Sequence, residues 1–306
     1  MSDPAGRLER LARSSRFVVT AEVVPPRSAD ATPLTRQARE LVGYADAVNV
    51  TDNPTASARM SPLAGVAALS AAGIEPILQM TTRDRNRLAI AADLLGAWAL
   101  GARNLLCLSG DPITVGDDPD AAEVRDLSVL ELVRLAANLR TEHRLPSGAE
   151  VDPAPRYYVG VADSPLARGY DAGRLEAKLD AGARFVQTQI VFDVDALGEW
   201  ADAVRARGVF ERAAVIVGVT PLTGAKQARH LDEHLPGVSV PAPIVEALDR
   251  AGERAGAEGV RIATAIIQGI AGVENVGGVH VMGLGRERVV RQVIDAARLA
   301  PRPVVL

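Results

Sequence analysis

The chain has 306 residues, of which 48% are hydrophobic and 24% charged, and this is ample material for the core of one large α/β domain. A net charge of −4 and an aromatic content of 3% argue against binding to nucleic acids or to an anionic membrane surface. A single cysteine, Cys107, excludes an internal disulfide and leaves too few thiolates for an iron–sulfur cluster within the chain.

Eight short apolar segments recur along the chain and are predicted to be strands, because continuous apolar runs bounded by turn residues are typical of strands buried on both faces. They are Phe17–Val24, Asp46–Thr51, Pro76–Thr81, Arg103–Asp111, Arg156–Asp163, Arg184–Phe192, Ala213–Thr220 and Gly277–Met282. The stretches between them have helical periodicity, and the final crossover, 221–276, has room for at least two helices. Repeated βα units predict a single closed (βα)8 TIM barrel over residues 1–306, with residues 1–15 as an N-terminal extension.

Polar residues stand at the C-terminal ends of most of these strands, where (βα)8 barrels carry their reacting groups. They are Glu22, Thr51, Gln79, Asp111, Asp163, Gln189 and Thr220. The long segment 111–123 follows the fourth strand on the same face and is predicted to act as a lid or a cofactor contact. The other long segment, 145–155, leads into the fifth strand at the opposite face and is expected to be a connector. The row of strand-end residues is therefore the candidate active site.

Three of these positions have alternative interpretations from the residues themselves. Glu22 lies among apolar residues and is a candidate general acid, although a structural ion pair with Arg27 fits equally well. Asp111 fits either the cap of a turn or an acceptor for the amino group of a ligand. Gln187 and Gln189 should point the same way by strand alternation, and a buried carboxamide there needs hydrogen-bond partners.

Searches for other sites give mostly negative results. The N-terminal segment has no apolar signal sequence, and no apolar run reaches the roughly 18 residues that span a bilayer, so a cytoplasmic location is expected. The segment 283–288 lacks the third glycine of a GxGxxG motif. Two interpretations of this segment stay open, a contact with a phosphate group or an ordinary βα turn. His230 and His234 have chelating i,i+4 spacing but no third ligand in view, which favours a solvated helix face. Lys178 and Lys226 are the only lysines among 34 basic residues, a weak hint of a positional requirement at Lys178.

Seven blocks of sequence, in order, make the chain from about Phe17 onward resemble the methylenetetrahydrofolate reductase family. The blocks are TAEVVPPR (20–27), VNVTDNP (48–54), QMTTRDRNR (79–87), LCLSGDP (106–112), AKLDAGARFVQTQIVFD (177–193), VGVTPL (217–222) and GVHVMGLG (278–285). The resemblance implies a barrel with a non-covalent flavin, FAD or alternatively FMN, that reduces 5,10-methylenetetrahydrofolate to 5-methyltetrahydrofolate. It implies NADH or NADPH as the favoured electron donor, and we expect a homo-oligomer.

Matched position by position, the resemblance gives Glu22 the role of the catalytic acid that opens the imidazolidine ring of the folate. Asp111 matches an aspartate beside the flavin and the pterin, and Gln189 matches a glutamine that binds the pterin. The positions that match flavin-binding residues are Thr51, Gln79, Asp111, Ala162, Asp171 and Lys178.

The chain also departs from the family pattern. Gln79 replaces a histidine of some members, Ser109 replaces an arginine, and a substrate-covering aromatic residue aligns near Ala225. The RDRN segment, 83–86, is similar to the branch found in acetogens, which leaves open a barrel subunit that takes electrons from an iron–sulfur partner. A flavin-free folate-binding or aldolase-like barrel is a further alternative, and the aldolase would need a lysine at a strand end.

Overall fold

The structure, a computed structural model, describes residues 3–302. Its strands are β1 (Val18–Val23), β2 (Ala47–Val50), β3 (Pro76–Thr81), β4 (Asn104–Leu108), β5 (Tyr158–Asp163), β6 (Phe185–Ile190), β7 (Ala214–Val219) and β8 (Val276–Val281). Each strand pairs in parallel with the next, and β1 pairs with β8, so that the sheet closes. The predicted (βα)8 barrel is therefore confirmed.

Helices connect the strands on the outside of the barrel. They are α1 (Arg7–Arg13), α2 (Thr32–Arg39), α3 (Pro62–Ala71), α4 (Arg87–Ala99), α5 (Val129–Thr141), α6 (Ala172–Asp180), α7 (Val194–Arg205), α8 (Val209–Arg212), α9 (Ala225–His234), α10 (Ala242–Ala251), α11 (Ala255–Ala271) and α12 (Glu287–Ala296). The final crossover holds α9, α10 and α11, in agreement with the prediction of at least two helices. Helices α1, α8 and α12 were not predicted. Helices α1 and α8, of seven and four residues, are too short to show helical periodicity, and α12 follows the last predicted strand.

The fourth strand is shorter than predicted, and this changes the position of Asp111. Strand β4 ends at Leu108, and Gly110 then adopts a φ of +82°, which is outside the extended region. Asp111 therefore lies on a loop beyond the strand instead of at the strand's last position. The segment 145–155 precedes β5 at the opposite end of the barrel, as the sequence predicts for a connector.

An apolar layer fills the N-terminal end of the barrel, and α1 closes that end from outside. Leu8 and Leu11 of α1 are buried against inward-facing side chains of seven strands. These side chains are Val18, Ala47, Ile77, Leu106, Tyr158, Phe185 and Ile216. The carboxylate of Glu75 accepts hydrogen bonds from the backbone N–H groups of Arg7, at 2.6 Å, and Leu8, at 2.9 Å. Helix α1 is thus fixed across the base of the barrel.

The packing of α1 against the base of the barrel predicts that two leucines differ strongly in their contribution to stability. Leu8→Ala should lower the free energy of unfolding by about 2–5 kcal/mol, because it empties a fully buried position. Leu88→Ala is the matched control at a side chain that is 76% exposed, and it should change stability by less than about 0.5 kcal/mol. Urea unfolding of both variants measures this, and equal losses would show that α1 does not seal the barrel.

Candidate active site

A buried polar layer crosses the middle of the barrel, directly above the apolar layer. Asn49 and Gln187 form a reciprocal pair of carboxamides, with an Asn49 Nδ2 to Gln187 Oε1 distance of 2.7 Å and a Gln187 Nε2 to Asn49 Oδ1 distance of 3.2 Å. Gln187 Nε2 also donates to Thr20 Oγ1 at 3.2 Å, and Thr20 Oγ1 lies 2.9 Å from His280 Nδ1. All four residues are buried, so the layer is a continuous chain of hydrogen bonds that excludes solvent.

Glu22 stands one step above this layer, two residues beyond Thr20 on the same face of β1. Its Oε2 atom is 3.7 Å from His280 Nε2, and its side chain is 12% exposed. Arg27 does not pair with it, since that guanidinium binds Asp117 at 2.7 Å. The sequence-based alternative, a Glu22–Arg27 ion pair, is therefore wrong. A carboxyl group in this setting faces the mouth of the barrel with a histidine behind it.

A second carboxyl group, Glu287, lies near Glu22 at the start of α12. Burial raises the pKa of Glu287, and the neighbouring charges of Glu22 and Glu40 raise it further. The sequence did not single out this residue, because it follows the β8 turn in an ordinary charged segment. The charge of Glu22 and that of Glu287 are therefore coupled through space.

Asp111 is exposed on the loop after β4 and is anchored from two sides. Its Oδ2 atom accepts a hydrogen bond from the backbone N–H of Thr55 at 2.7 Å. Its carbonyl oxygen accepts one at 3.0 Å from Arg83, which also binds both oxygens of Asp84 and the carbonyl oxygen of Asn53. Arg83 is 1% exposed. Gly110 lies so close to it that a Cβ atom on Gly110 would be 3.0 Å from the Cβ atom of Arg83. The first arginine of the RDRN segment thus holds the loop that carries Asp111.

The other residues of the RDRN segment are also occupied within the chain. Arg85 makes a two-pronged contact with the buried carboxylate of Asp52, at 2.8 and 3.1 Å, and its Nε lies 3.0 Å from Asp93. Asp52 also accepts hydrogen bonds from the backbone and hydroxyl of Thr81. Asn86 caps α4. These contacts tie together the loops that follow β2 and β3.

The predicted lid is fixed to the same loops. Asp117, within 111–123, accepts a hydrogen bond from the backbone N–H of Ala58 at 3.1 Å and pairs with Arg27. Glu123 accepts one from the backbone N–H of Ile113, and its ion pair with Arg125 lowers its pKa to about 2. These contacts attach the segment to the loops that follow β1 and β2.

The predicted cofactor positions share one side of the mouth but differ in their contacts. Thr51, Gln79 and Ala162 face inward from β2, β3 and β5 by strand alternation. The buried Oγ1 atom of Thr51 has no hydrogen-bond partner among residues 3–302. Asp171 is mostly exposed and caps α6 through the backbone N–H of Gly173 at 2.9 Å. Thr51 thus carries a buried hydroxyl without a partner in this part of the chain.

Lys178 points back to the end of β5. Its Nζ atom donates to the carbonyl oxygen of Ala162 at 2.6 Å and lies 3.9 Å from Asp163 Oδ1. Burial lowers the pKa of Lys178 and raises that of Asp163, which also accepts a hydrogen bond from Tyr170 at 2.9 Å. The ammonium group of Lys178 therefore interacts with the carboxylate of Asp163 at the C-terminal end of β5.

Gln189 also faces the mouth, on the same side of β6 as Gln187, as alternation predicts. Its Oε1 atom accepts a hydrogen bond from the backbone N–H of Ile190 at 2.9 Å, and its Nε2 atom lies 3.5 Å from the carbonyl oxygen of Pro236. Gln187 is occupied in the buried layer, and Gln189 is left as the accessible carboxamide. The hydroxyl of Thr220 donates to the carbonyl oxygen of Met282 and so links the C-terminal ends of β7 and β8.

Several other predictions concern residues outside this mouth. His230 and His234 stack on each other on the exposed face of α9, and no group of three metal-binding side chains occurs within the described part of the chain. Both lysines belong to helices, and neither lies within one of the eight strands. Cys107 is buried, and burial raises the pKa of its thiol. No helix in residues 3–302 is long and apolar enough to cross a membrane.

Sequence reasoning missed Thr20, His280 and Arg83 as site residues. Thr20 and His280 carry a usable signal, since each is a polar side chain at an inward position between apolar neighbours in a strand. That signal identifies a buried hydrogen-bonding side chain but not its partner, because the two residues are 260 positions apart. Arg83 in a charged segment carries no signal of burial.

The closed barrel and its mouth define an α/β-barrel protein whose site is built from carboxylates and carboxamides, backed by a buried histidine. The family model for methylenetetrahydrofolate reductase matches residues 7–298, and the chain belongs to this family.

Individual relatives agree with the family assignment. A probable methylenetetrahydrofolate reductase (NADPH) of Caenorhabditis elegans is 26% identical over 257 residues, which cover 79% of this chain and 36% of the relative. Methylenetetrahydrofolate reductase 1 of Schizosaccharomyces pombe is 29% identical over 157 residues, covering 49% of this chain and 23% of the relative. The chain thus spans about a third or less of the length of these relatives.

A solved structure shares the fold. It is an uncharacterized protein from Clostridium thermocellum, described as binding two copies of 5-methyl-5,6,7,8-tetrahydrofolic acid. The match has a TM-score of 0.61 and 13% identity, and it covers 95% of this chain and 98% of the other. At this identity the likeness shows the barrel fold.

The contacts of Arg83 predict that the two outer arginines of segment 83–87 differ in importance. Arg83→Met should lower the free energy of unfolding by about 2–3 kcal/mol, because it leaves Asp84 and two loop carbonyl groups without their buried partner. Arg87→Met, at an exposed pair with Asp126, should leave the urea midpoint nearly unchanged. A similar urea midpoint for both variants would contradict the role of Arg83 in holding the loop that carries Asp111.

Proposed function

We propose that this chain catalyses the reduction of 5,10-methylenetetrahydrofolate to 5-methyltetrahydrofolate at the mouth of the barrel. The observation that carries the proposal is the position of Glu22 above the buried histidine, on a mouth that also holds Asp111 and Gln189. A bound flavin would supply the hydride. Family membership supports the reaction class.

The proton chemistry follows from the surroundings of Glu22. Opening the imidazolidine ring of the folate requires a proton on the departing nitrogen, and Glu22 is the carboxyl group that faces the mouth from the strand end. The ring-opened folate is an iminium cation. The carboxylate of Glu22 that remains after proton transfer favours that positive charge electrostatically. Asp111 and Gln189 offer an acceptor and a carboxamide to the amide-like edge of the pterin.

The residues present fit a flavin. The buried hydroxyl of Thr51 has no partner among residues 3–302 and could bond to a ligand. Gln79 offers a half-buried carboxamide beside it, and Ala162 is small enough to leave room for a flat ring. Lys178 would hold a phosphate group, and Asp171, whose carboxylate already caps α6, would accept a hydrogen bond from the cofactor. We propose FAD, with FMN as the alternative.

NADH or NADPH is the proposed donor, and the RDRN segment bears on this choice. Its resemblance to acetogen-type proteins suggests a partner subunit. However, the charged groups of Arg83, Asp84 and Arg85 are engaged in contacts within the chain. The segment therefore offers no unpaired charge to a partner, which favours a free nicotinamide. A homo-oligomer and a cytoplasmic location complete the proposal.

The general-acid role predicts a selective defect in Glu22→Gln. This variant should reduce folate at least about a hundredfold more slowly, because it cannot deliver a proton to nitrogen. Reduction of its bound flavin by the donor should stay within about twofold of wild type, since that half-reaction needs no such proton. Anaerobic stopped-flow absorbance measures both half-reactions. Equal losses in the two would show that Glu22 is needed for structure instead.

The flavin proposal predicts a difference between the two lysines of the chain. Lys178→Ala should weaken flavin binding on the order of tenfold, as expected for the loss of one charge-assisted contact. Lys226→Ala, on the exposed face of α9, is the matched control and should bind flavin like wild type. Titration of the apoprotein with FAD and with FMN measures this. Protein that takes up neither flavin would refute the proposed cofactor.

A further inference from the structure

We propose that Gln187 is a positioning residue that sets the tautomer of His280 and so prepares the group behind Glu22. This inference rests on the proposed function for its kinetic consequence, although not for the tautomer itself. The side-chain hydrogen bonds of Gln187 go to Asn49 and Thr20 and not to Glu22, and the residue is 3% exposed. Its effect travels through the hydroxyl of Thr20.

The hydrogens of the buried layer determine the direction of each bond. The amide nitrogen of Gln187 carries two, and they have two acceptors in reach, namely Asn49 Oδ1 and Thr20 Oγ1, both at 3.2 Å. Thr20 Oγ1 therefore receives a hydrogen bond from Gln187. The hydroxyl keeps its own hydrogen to donate, and His280 Nδ1 lies 2.9 Å away. Nδ1 then acts as the acceptor, and the ring hydrogen of neutral His280 is on Nε2.

The tautomer matters because Nε2 is the nitrogen that faces Glu22, at 3.7 Å. Glu22 becomes a carboxylate when it gives its proton to the folate. A hydrogen on Nε2 favours that carboxylate, whereas a lone pair there would repel it. The tautomer set by Gln187 thus lowers the energy of the state that proton transfer produces.

The pair with Asn49 holds Gln187 in the required orientation. Asn49 Nδ2 donates to Gln187 Oε1 at 2.7 Å, which occupies the oxygen and directs the amide nitrogen towards Thr20. If Gln187 alone turned its amide over, its N–H2 group would face the N–H2 group of Asn49, and its oxygen would face the oxygen of Asn49. The site has no solvent to replace these hydrogen bonds, so the turn would cost their free energy. Both amides would have to turn together to reverse the chain of donors.

Nitrogen NMR of the histidine rings tests the inference directly. The chain has four histidines, and the His280→Gln spectrum identifies the signals of His280 in protein labelled with ¹⁵N-histidine. Wild type should show the hydrogen on Nε2 of His280. Gln187→Glu should move it to Nδ1, because a carboxylate can only accept from Thr20, and the hydroxyl must then accept from the ring. Gln189→Met, one step along the same face of β6, should leave the wild-type signals.

A second, uncharged variant tests the inference in case the buried charge of Gln187→Glu prevents folding. Gln187→Met keeps the length of the side chain without its donors, and it should give a mixture of the two His280 tautomers. In this variant the rate of the folate half-reaction should fall on the order of tenfold, while flavin reduction by the donor stays at the wild-type rate. The NMR readout does not need turnover, so a chain that never reduces folate could still show the tautomer change.

Two outcomes would overturn the inference. One is a wild-type His280 with its hydrogen on Nδ1, as a concerted reversal of both amides would give. The other is a hydrogen that remains on Nε2 in both Gln187→Glu and Gln187→Met. A tautomer change without any effect on the folate half-reaction would refute the kinetic part alone.

Discussion

Closure of the barrel between β1 and β8 is the constraint on which the site depends. Thr20 and His280 are register partners in this pairing, although they are 260 positions apart in the chain. Because side chains alternate along a strand, a shift of one residue would turn Thr20 and Glu22 out of the barrel together. The pairing that completes the sheet therefore also brings the histidine behind the carboxyl group. Stability and the geometry of the mouth are set by the same contact.

The interior of the barrel separates these two demands along its axis. The apolar layer at the N-terminal end, sealed by Leu8 and Leu11, supplies hydrophobic burial and makes few directional contacts. The layer of Thr20, Asn49, Gln187 and His280 above it gains little from burial, but each buried polar group there has a partner that restricts its orientation. Such a layer fits a role in orienting the groups at the mouth better than a role in stability.

The sequence predicts the parts of this arrangement that depend on local patterns. Apolar runs gave the eight strands, and strand ends gave Glu22 and Gln189 at the mouth, since alternation is a local property. The place of Asp111 depends on the turn at Gly110 and on the burial of Arg83, which no periodicity reveals. The partners in the buried layer come from distant strands. Seven residues in α1 were also too few to show a helical period.

The account rests on folate binding at the C-terminal mouth, and a crystal structure with 5-methyltetrahydrofolate tests this most directly. We expect the pterin ring within hydrogen-bonding distance of Asp111 and Gln189, with its reacting nitrogen beside Glu22. The competing location is the cavity at the base of the barrel, whose lining includes Arg16 and Arg184. Density for the ligand at that base, with an empty mouth, would contradict the account.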